Sequence, residues 1–288
     1  MYAVVGATGN TGRAVVKELR ALGEDPVCVV RNLDKAKEVL GRDGRFALAE
    51  LDDRAGMEKA LAGCKRVFVV TGHNPRAAEQ QINVLNAAKA VGAEFFVKVS
   101  GGRAVVGPNV ESVNGRAHYQ IEEAMKQSGL PWCILSPGLF MQNMLAQAAN
   151  IKNEGKIVQP WRKDLPVALI DVRDTGAVGA RVLRDPAKHA GKIYSFTGPT
   201  TTYGDFANVI AEVLGKPITY VEITLEQAEA GMKARNMPDW LIAHLISIAR
   251  AGANGAFSTE NTQPIRDIVG RPPLTTRQFV QDHKAAFS

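Results

Sequence analysis

The sequence predicts an α/β protein in which a doubly wound parallel sheet is followed by a smaller C-terminal α+β domain. Short apolar runs rich in Val, Ile and Phe alternate with helical patterns through the first half of the chain, and such alternation is typical of βαβ units. The runs lack alternating polar residues, so we expect helices on both faces of the sheet. The length of 288 residues suits one large domain with a smaller one beside it.

The elements of the first half follow one another in a regular order. Strands are predicted at residues 2–5, 27–30, 46–51, 67–70, 95–99 and 132–135, and helices are predicted to begin at Thr11, Leu33, Arg54, Asn74 and Gly115. Because crossovers between parallel strands are right-handed, these units build one parallel sheet.

Prolines punctuate the second half, which predicts shorter elements joined by turns. A helix after Pro137 has its apolar residues on one stripe, formed by Met141, Met144, Leu145, Ala148 and Ile151. Further strands are predicted at 167–172, 192–197 and 218–223, and further helices at 203–214, 240–251 and 276–286. We place the first domain at residues 1–150 and the second at 151–288. Whether the strands at 167–172 and 192–197 extend the first sheet is left open.

Basic and acidic residues are interspersed along the chain, although the net charge is +6. No basic stripe with interleaved aromatic residues is present, which argues against a nucleic-acid partner. No apolar run approaches the roughly 18 residues that cross a membrane, and a glycine motif begins at Gly6, which leaves little room for a leader peptide. We therefore expect a cytoplasmic protein, and a homodimer or a protein partner stays open.

The three cysteines predict neither a disulfide framework nor a metal site. Cys28 and Cys133 lie in the apolar runs VCVV and WCIL, and the chain has no CxxC motif and no Cys/His cluster. We expect buried, reduced thiols that pack as small hydrophobic side chains.

A glycine motif, Gly6-Ala7-Thr8-Gly9-Asn10-Thr11-Gly12, joins the first strand to the first helix. In a Rossmann-type sheet the first glycine permits the tight turn, the second lets a diphosphate approach the backbone, and the third allows close helix packing. The helix N-terminus adds unpaired N–H groups and a favourable dipole. The spacing is GxxGxxG rather than GxGxxG, and its position predicts a dinucleotide site.

A cation at the end of the second strand indicates which dinucleotide is bound. An NAD-binding unit usually has an acidic residue there, whereas this chain has Arg31 directly after VCVV. A guanidinium suits the 2′-phosphate of NADP(H), so NADP(H) is the predicted cofactor, with NAD(H) as the alternative. Lys35 and Arg13 either join the same pocket or lie on a solvated face.

Polar residues follow the next strands. Asp52 is a candidate contact to the adenine amino group, whereas Asp53 is at least as suited to cap the helix that starts at Arg54. The segments that begin at Thr71-Gly72-His73 and at Ser100 should face the nicotinamide half, because ligands of open α/β sheets lie at the carboxyl ends of the strands.

The Tyr-xxx-Lys pair of common short-chain reductases is absent, since Glu123 stands four residues after Tyr119. The candidate catalytic residues are His118 and Tyr119. The four-residue spacing places Glu122 on the same helix face as His118, where a carboxylate could orient the imidazole or raise its pKa. A surface pair with no role in catalysis is the alternative.

The chain resembles the NmrA-like group of atypical short-chain dehydrogenases in the segments GATGNTGR, VVRN, LDD, HYQIEEAMKQSGLPWCILSPGLFMQN, IDVRDTGAV, GKIYSFTGP and GRPP. The resemblance spans nearly the whole chain and implies a Rossmann domain with a small C-terminal domain over the dinucleotide. It implies that the diphosphate contacts Gly6, Thr8, Gly9, Asn10, Thr11 and Gly12, the 2′-phosphate contacts Arg31 and Lys35, and the adenine contacts Asp52. It places Thr71, Gly72, Ser100, Pro137, Gly138, Leu139 and Phe140 around the nicotinamide.

The resemblance implies two functions. His118 matches the position of a histidine in quinone and dye reductases, which favours an NADPH-dependent oxidoreductase acting on a flat, electron-poor acceptor such as a quinone or enone. Phe140, Met141, Trp161 and Trp240 either line the acceptor cleft or pack in a core. Other members bind the dinucleotide as redox sensors without turnover, which is the alternative function. The chain departs from the family at Ser136, where an arginine is common.

Overall fold

The computed structural model describes all 288 residues. The strands are β1 (Tyr2–Val5), β2 (Val27–Val30), β3 (Arg45–Leu48), β4 (Arg66–Val69), β5 (Phe95–Val99), β6 (Trp132–Pro137), β7 (Leu139–Phe140), β8 (Lys156–Gln159), β9 (Pro166–Ile170), β10 (Lys192–Phe196), β11 (Thr200–Thr202) and β12 (Thr219–Glu222). 

The helices that flank the first six strands are α1 (Asn10–Ala21), α2 (Leu33–Leu40), α3 (Arg54–Leu61), α4 (Ala77–Ala90) and α5 (Val113–Gln127). The later ones are α6 (Ala148–Glu154), α7 (Val172–Arg184), α8 (Pro186–His189), α9 (Tyr203–Leu214), α10 (Leu225–Ala234), α11 (Asp239–Ala253), α12 (Gln263–Val269), α13 (Thr276–Asp282) and α14 (Lys284–Phe287). Two 3₁₀ segments lie at Arg103–Val105 and Met141–Gln147.

Seven strands form a central parallel sheet in the order β10-β6-β5-β4-β1-β2-β3. The chain moves from β1 to β2 and β3 in one direction and then returns to β4 on the other side of β1. This reversal between β1 and β4 is the topological switch point of a doubly wound sheet. The predicted fold class is therefore confirmed.

Each face of the sheet has its own core, because successive side chains of a strand point to opposite faces. One core joins the sheet to α1, α2 and α7, and it contains Val15, Phe68 and Val178. The other joins the sheet to α3, α4 and α5, and it contains Met57 and Ile121. All three cysteines are buried and unpaired.

Side-chain caps fix where several of these helices begin. The Asp53 carboxylate accepts from the Gly56 backbone N–H at 3.0 Å, which confirms the helix-cap alternative for this residue. Helix α4 begins at Ala77 rather than near residue 74, since the Asn74 side chain accepts from the Arg76 backbone N–H at 2.9 Å and holds a turn there.

Residues beyond 150 contribute to both parts of the molecule. Strand β10 lies at the edge of the central sheet beside β6, whereas β9 pairs with β7 and β11 in a separate sheet. The strand predicted at 192–197 thus extends the first sheet, and the one at 167–172 does not. Strands β8 and β12 form a third, two-stranded sheet.

Helix α7 lies outside the helices predicted from the sequence and packs directly on α1. A Cβ atom at Gly176 of α7 would lie 2.5 Å from the Cβ atom of Ala14 in α1, so glycine is required for this approach. The region after Pro137 is also different from the single predicted helix, because a 3₁₀ segment precedes α6.

The C-terminal elements enclose a third core. Met141 and Trp161 are buried in it, and the Trp161 indole Nε1 donates to the Ala249 carbonyl oxygen at 2.6 Å. Of the four candidate cleft residues, these two are therefore core residues, while Phe140 and Trp240 are partly exposed. None of the helices combines the length and the apolarity that a membrane crossing requires.

Candidate functional site

The carboxyl edge of the central sheet collects most of the residues that the sequence singled out. The strands are parallel, so the segments that follow them all emerge at this edge. The turn after β1 and the end of β4 meet at the switch point, where a Cβ atom at Gly6 would lie 1.8 Å from the Val70 carbonyl oxygen.

The glycine turn between β1 and α1 leaves an open cradle of backbone N–H groups. Gly6 has a φ of +81°, and a Cβ atom at Gly12 would lie 2.2 Å from the Gly6 carbonyl oxygen. Gly9 is the N-cap of α1 and provides no capping side chain, and the first turn of α1 has no acidic residue. These N–H groups and the helix dipole fit a diphosphate.

The side chains around this turn are already arranged. Thr11 is buried and Thr8 is partly buried, whereas Asn10 and Arg13 are exposed. The Arg13 guanidinium donates to the Asn10 side-chain oxygen at 2.7 Å, so Arg13 lies over the exposed rim of the turn.

Two unpaired cations lie at the end of β2. Arg31 and Lys35 are exposed, and neither forms a salt bridge with an acidic side chain. The Asn32 side chain accepts from the Lys35 backbone N–H at 2.9 Å and caps α2, which fixes the first turn of that helix beside Arg31. The first turn of α2 also contains one acidic residue, Asp34.

The predicted adenine contact, Asp52, already has protein partners. Its carboxylate lies 2.9 Å from an Arg76 guanidinium nitrogen and accepts from the Gln80 side-chain amide at 3.0 Å. All three side chains lie at the surface or half-buried. The role of Asp52 toward adenine stays a prediction, and Arg76 is a neighbour that the sequence did not reveal.

The segment after β4 contains Thr71, Gly72 and His73. The Thr71 hydroxyl accepts from the Gln81 side-chain amide of α4 at 2.8 Å, and Gly72 is exposed with open space where a Cβ atom would lie. His73 is exposed as a residue, but its ring packs against His244, and this partial loss of water lowers the pKa of His73. This segment borders the switch point and leaves room for a ligand.

A buried lysine, Lys98 of β5, holds the candidate catalytic histidine of α5. Lys98 is 0% exposed, and its ammonium nitrogen lies 2.8 Å from the His118 Nδ1 atom. Burial, followed by the positive charge of Lys98, lowers the pKa of His118 well below its usual 6.5. Tyr119, the second candidate, is partly buried on the same helix and stays a prediction.

Glu122 does not bond to His118, which corrects the expected pairing. Its carboxylate accepts from the Arg103 guanidinium at 2.5 and 2.9 Å and from the Ser100 hydroxyl at 2.5 Å. Arg103 also donates to the Ser136 hydroxyl at 2.9 Å. The expected rise in the pKa of His118 is also wrong, because burial lowers this pKa and the neighbouring group is an ammonium rather than a carboxylate. A guanidinium thus lies beside residue 136 although that residue is a serine.

The turn after β6 closes the site from the side of the third core. The Gly138 backbone N–H donates to the Phe196 carbonyl oxygen at 2.9 Å, and a Cβ atom at Gly138 would lie 2.9 Å from the Thr197 methyl group. Pro137 is the last residue of β6, and Phe140 ends the short strand β7.

A helix of the C-terminal part reaches over this edge. His244 of α11 is 4% exposed, its Nδ1 atom lies 2.9 Å from the Ser112 hydroxyl, and its ring packs edge-on against His73 with centroids 4.6 Å apart. Ser112 caps α5 by accepting from the Gly115 backbone N–H. Helix α11 therefore covers the end of β4 and the start of α5.

Three residues that contact the candidate site were not predicted from the sequence: Lys98, Arg103 and His244. Lys98 had a signal, since it is the one charged residue in the apolar run FFVKV, and charged side chains are seldom buried without a reason. Arg103 and His244 reach the site through tertiary contacts over 19 residues and 132 residues of sequence, so no local pattern marks them.

The fold and the carboxyl edge of the central sheet define a dinucleotide-binding α/β protein. The NmrA-like family matches residues 2–265, and the chain belongs to that family, which confirms the resemblance seen in the sequence.

Similar proteins include reductases of three kinds. The chain is 33% identical over 288 residues to an NAD(P)H azoreductase of Xenophilus azovorans, covering 100% of this chain and 99% of that protein. It is 32% identical over 289 residues to a (4-alkanoyl-5-oxo-2,5-dihydrofuran-3-yl)methyl phosphate reductase of Streptomyces griseus, with the same coverage. The crystal structure of an NADPH-dependent quinone oxidoreductase from Escherichia coli, complexed with NADPH, superposes with a TM-score of 0.85 at 26% identity, covering 98% of this chain and 99% of that chain. The nicotinamide dinucleotides named for the azoreductase and for the quinone oxidoreductase agree with the predicted cofactor.

Proposed function

We propose that this protein is an NADPH-dependent oxidoreductase that reduces a small, flat, electron-poor acceptor such as a quinone or an enone. The observation that carries the proposal is the position of His118, which lies at the carboxyl edge of the sheet together with an uncapped glycine turn suited to a diphosphate. The family relatives support it, because their names state reduction of azo compounds, of an unsaturated oxo-furan and of quinones.

The dinucleotide would be held along the carboxyl edge. The turn Gly6–Gly12 would bind the diphosphate through backbone N–H groups, and Arg31 with Lys35 would bind the 2′-phosphate. Asp52 would accept from the adenine amino group. The nicotinamide would lie among the residues that follow β4, β5 and β6, which are Thr71, Gly72, Ser100, Pro137, Gly138 and Phe140. Bound NADPH supplies a hydride from its nicotinamide ring.

His118 is placed to give the acceptor a proton. Its Nδ1 atom faces the Lys98 ammonium, so the Nε2 atom carries the proton of the neutral ring. A Cβ atom at Gly101 would lie 3.2 Å from His118 Cδ2 and 3.8 Å from Nε2, so the glycine leaves the outer edge of the ring open. An acceptor oxygen that gains electrons could therefore be protonated from this side.

The acceptor would lie between the sheet edge and the C-terminal part. His73 and His244 are packed against each other there, and Phe140 and Trp240 offer partly exposed aromatic faces. Aromatic walls of this kind favour a flat apolar ligand.

The proposal is tested with purified protein and 4-deuterated NADPH. We expect oxidation of NADPH by at least one of a panel of quinones, enones and azo dyes, with deuterium transferred to the enone product at one face. The His118→Asn variant should bind NADPH normally by calorimetry and turn over quinone about 100-fold more slowly, which is the lower range for a lost general acid. NADPH binding with no turnover of any acceptor would overturn the proposal.

A second candidate function is a non-catalytic NADP(H) sensor that regulates a protein partner. The missing Tyr-xxx-Lys pair favours it, since Glu123 stands where the lysine of such a pair would follow Tyr119. A sensor should bind a partner more tightly with one oxidation state of the dinucleotide than with the other, and His118→Asn should leave that difference unchanged. Stereospecific deuterium transfer would rule it out as the sole function.

A further inference from the structure

We propose that Lys98 is a positioning residue that fixes the His118 tautomer and resupplies the proton that His118 gives to the acceptor. This inference rests on the proposed reductase function, and it assigns a role to a lysine that the sequence pattern places in the middle of a core strand.

The Lys98 side chain has an unusual position for a charged group. All five residues of β5 are buried, and the alternation of the strand places Lys98 on the same face as Phe96, which packs in the core under α4 and α5. Lys98 is 0% exposed and forms no salt bridge with a carboxylate. A buried ammonium without such a partner costs stability that an apolar side chain of the same length would not.

The Lys98 ammonium contacts His118 and its own strand. Its nitrogen lies 2.8 Å from the His118 Nδ1 atom and donates to the Val99 carbonyl oxygen at 3.1 Å. A protonated lysine has three donors and no acceptor, so while Lys98 is charged Nδ1 is the acceptor atom and Nε2 carries the proton. The contact therefore turns the donor side of the ring away from the core.

Several charged and titratable groups surround Lys98 and His118. They face this pair from α5, from the 3₁₀ segment after β5, from the segment after β4 and from α11: Glu122, Arg103, His73 and His244. The Glu122 carboxylate is already bound by Arg103 and Ser100. Burial lowers the pKa of Lys98 to about 7, against the opposing effect of Glu122 and with the support of Arg103. The lysine can therefore release a proton near neutral pH.

The transfer balances in protons and charge. As a hydride from the bound dinucleotide adds to the acceptor, the His118 Nε2–H bond breaks and its proton goes to the acceptor oxygen. At the same time a Lys98 N–H bond breaks and its proton goes to His118 Nδ1. The imidazole stays neutral in the other tautomer, and Lys98 becomes a neutral amine. The positive charge lost at Lys98 equals the one gained by the oxidised nicotinamide, and a proton from water then restores the ammonium.

Nitrogen NMR of ¹⁵N-histidine-labelled protein without NADPH tests the tautomer directly. We expect the neutral His118 ring to carry its proton on Nε2 in the wild type. In Lys98→Met the ring should become a mixture of both tautomers, and its pKa should rise toward the usual value of about 6.5. The matched control is Lys126→Met, which removes an exposed cation of α5 paired with Glu123 and should leave the His118 signals unchanged. A proton on Nδ1 in the wild type would overturn the proposal.

Kinetics test the proton supply. In Lys98→Met the kcat for a quinone should fall about tenfold to 100-fold, while the KM for NADPH should stay unchanged and the thermal unfolding temperature should not fall. The wild-type kcat should decline as the pH rises through the titration of Lys98, and the variant should lose that decline. A cationic triphenylmethane dye, which takes a hydride without a proton, should be reduced equally well by both forms. Equal losses with the dye and the quinone would contradict the role.

A second substitution of Lys98 keeps the inference separate from the proposed function. Lys98→Leu, which has a different shape, should give the same His118 tautomer mixture as Lys98→Met, so an effect of one substitution on packing cannot imitate the result. The NMR measurement of the His118 tautomer does not require the protein to reduce any acceptor. Failure of every acceptor in the reductase panel would overturn the proposed function, whereas an unchanged His118 ring in both lysine variants would overturn the inference alone.

Discussion

A Cβ atom at Gly6 would clash with the Val70 carbonyl oxygen, since the two atoms would lie only 1.8 Å apart. The turn that follows β1 is therefore pressed against the end of β4, and no side chain fits between them. This contact holds the glycine turn at the switch point of the sheet, where a ligand of a doubly wound fold binds.

Gly6→Ala should therefore both unfold the protein more easily and abolish NADPH binding. Gly23→Ala is the matched control, because Gly23 has nearly the same φ, +82° against +81°, but has nothing within 4 Å of the Cβ position. The free energy of unfolding of the control should fall only by the cost of an alanine in a left-handed conformation, about 1 to 2 kcal/mol. Its affinity for NADPH should stay unchanged. Chemical denaturation and calorimetry measure both quantities, and equal losses of stability in the two variants would contradict the steric argument.

Arg31→Glu tests the choice between dinucleotides. The variant replaces the cation proposed to bind the 2′-phosphate with a carboxylate, so the affinity for NADPH should fall at least tenfold, or about 1.4 kcal/mol, while that for NADH should change little. Arg42→Glu makes the same charge change at an exposed position beyond the far end of α2 and should leave both affinities unaltered. Titration calorimetry at one ionic strength checks this, and parallel losses for both dinucleotides would refute the assignment.

Much of the first domain could be predicted from the sequence, because its signals are local. The apolar run VCVV and the glycine turn that begins at Gly6 each specify their own conformation, and parallel order then brings their ends to one edge. The strand at Tyr2–Val5 was predicted at its observed bounds for the same reason.

The parts that escaped prediction depend on contacts between distant segments. Helix α7 is defined by its close approach to α1 through Gly176, which no periodicity reveals. The spacing predicts that Glu122 faces His118. In the structure its carboxylate instead accepts from Arg103, which belongs to another element. Spacing fixes which helix face a side chain occupies and leaves its partner undetermined.

Glu122→Gln should destabilise the protein by about 3 kcal/mol at neutral pH, since it leaves a partly buried guanidinium without its carboxylate. The Arg103 side chain is 35% exposed, so the loss should lie at the lower end of the range for buried ion pairs. Glu123→Gln is the neighbouring control, whose pair with Lys126 lies at the surface and is worth about 0 to 1 kcal/mol. Urea unfolding at pH 7 compares the two.

Low pH should remove the contribution of the Glu122–Arg103 ion pair to the stability of the wild type. Burial raises the pKa of Glu122, but the hydrogen bonds from Arg103 and Ser100 outweigh it and lower the pKa below the usual 4.5. A lowered carboxyl pKa gives stability that is present above the unfolded value and is lost as the pH falls through the folded one. The difference in unfolding free energy between the wild type and Glu122→Gln should therefore shrink below about pH 4.5, and a constant difference would contradict the ion pair.

His244→Phe tests whether the contact between α11 and the sheet edge depends on pH. Burial, and then the charge of His73, lowers the pKa of His244 to about 4. The unfolded chain therefore binds a proton near pH 6.5 that the folded protein does not, and wild-type stability should fall as the pH decreases from about 6.5 toward 4. Phenylalanine keeps a ring against His73 but cannot titrate, so the variant should show a shallower slope, by up to about 1.4 kcal/mol per pH unit. Urea unfolding at pH 7.5, where neither form takes up the proton, sets the baseline. Identical slopes in the two proteins between pH 6.5 and 5 would show that His244 is not held in its neutral form by the fold.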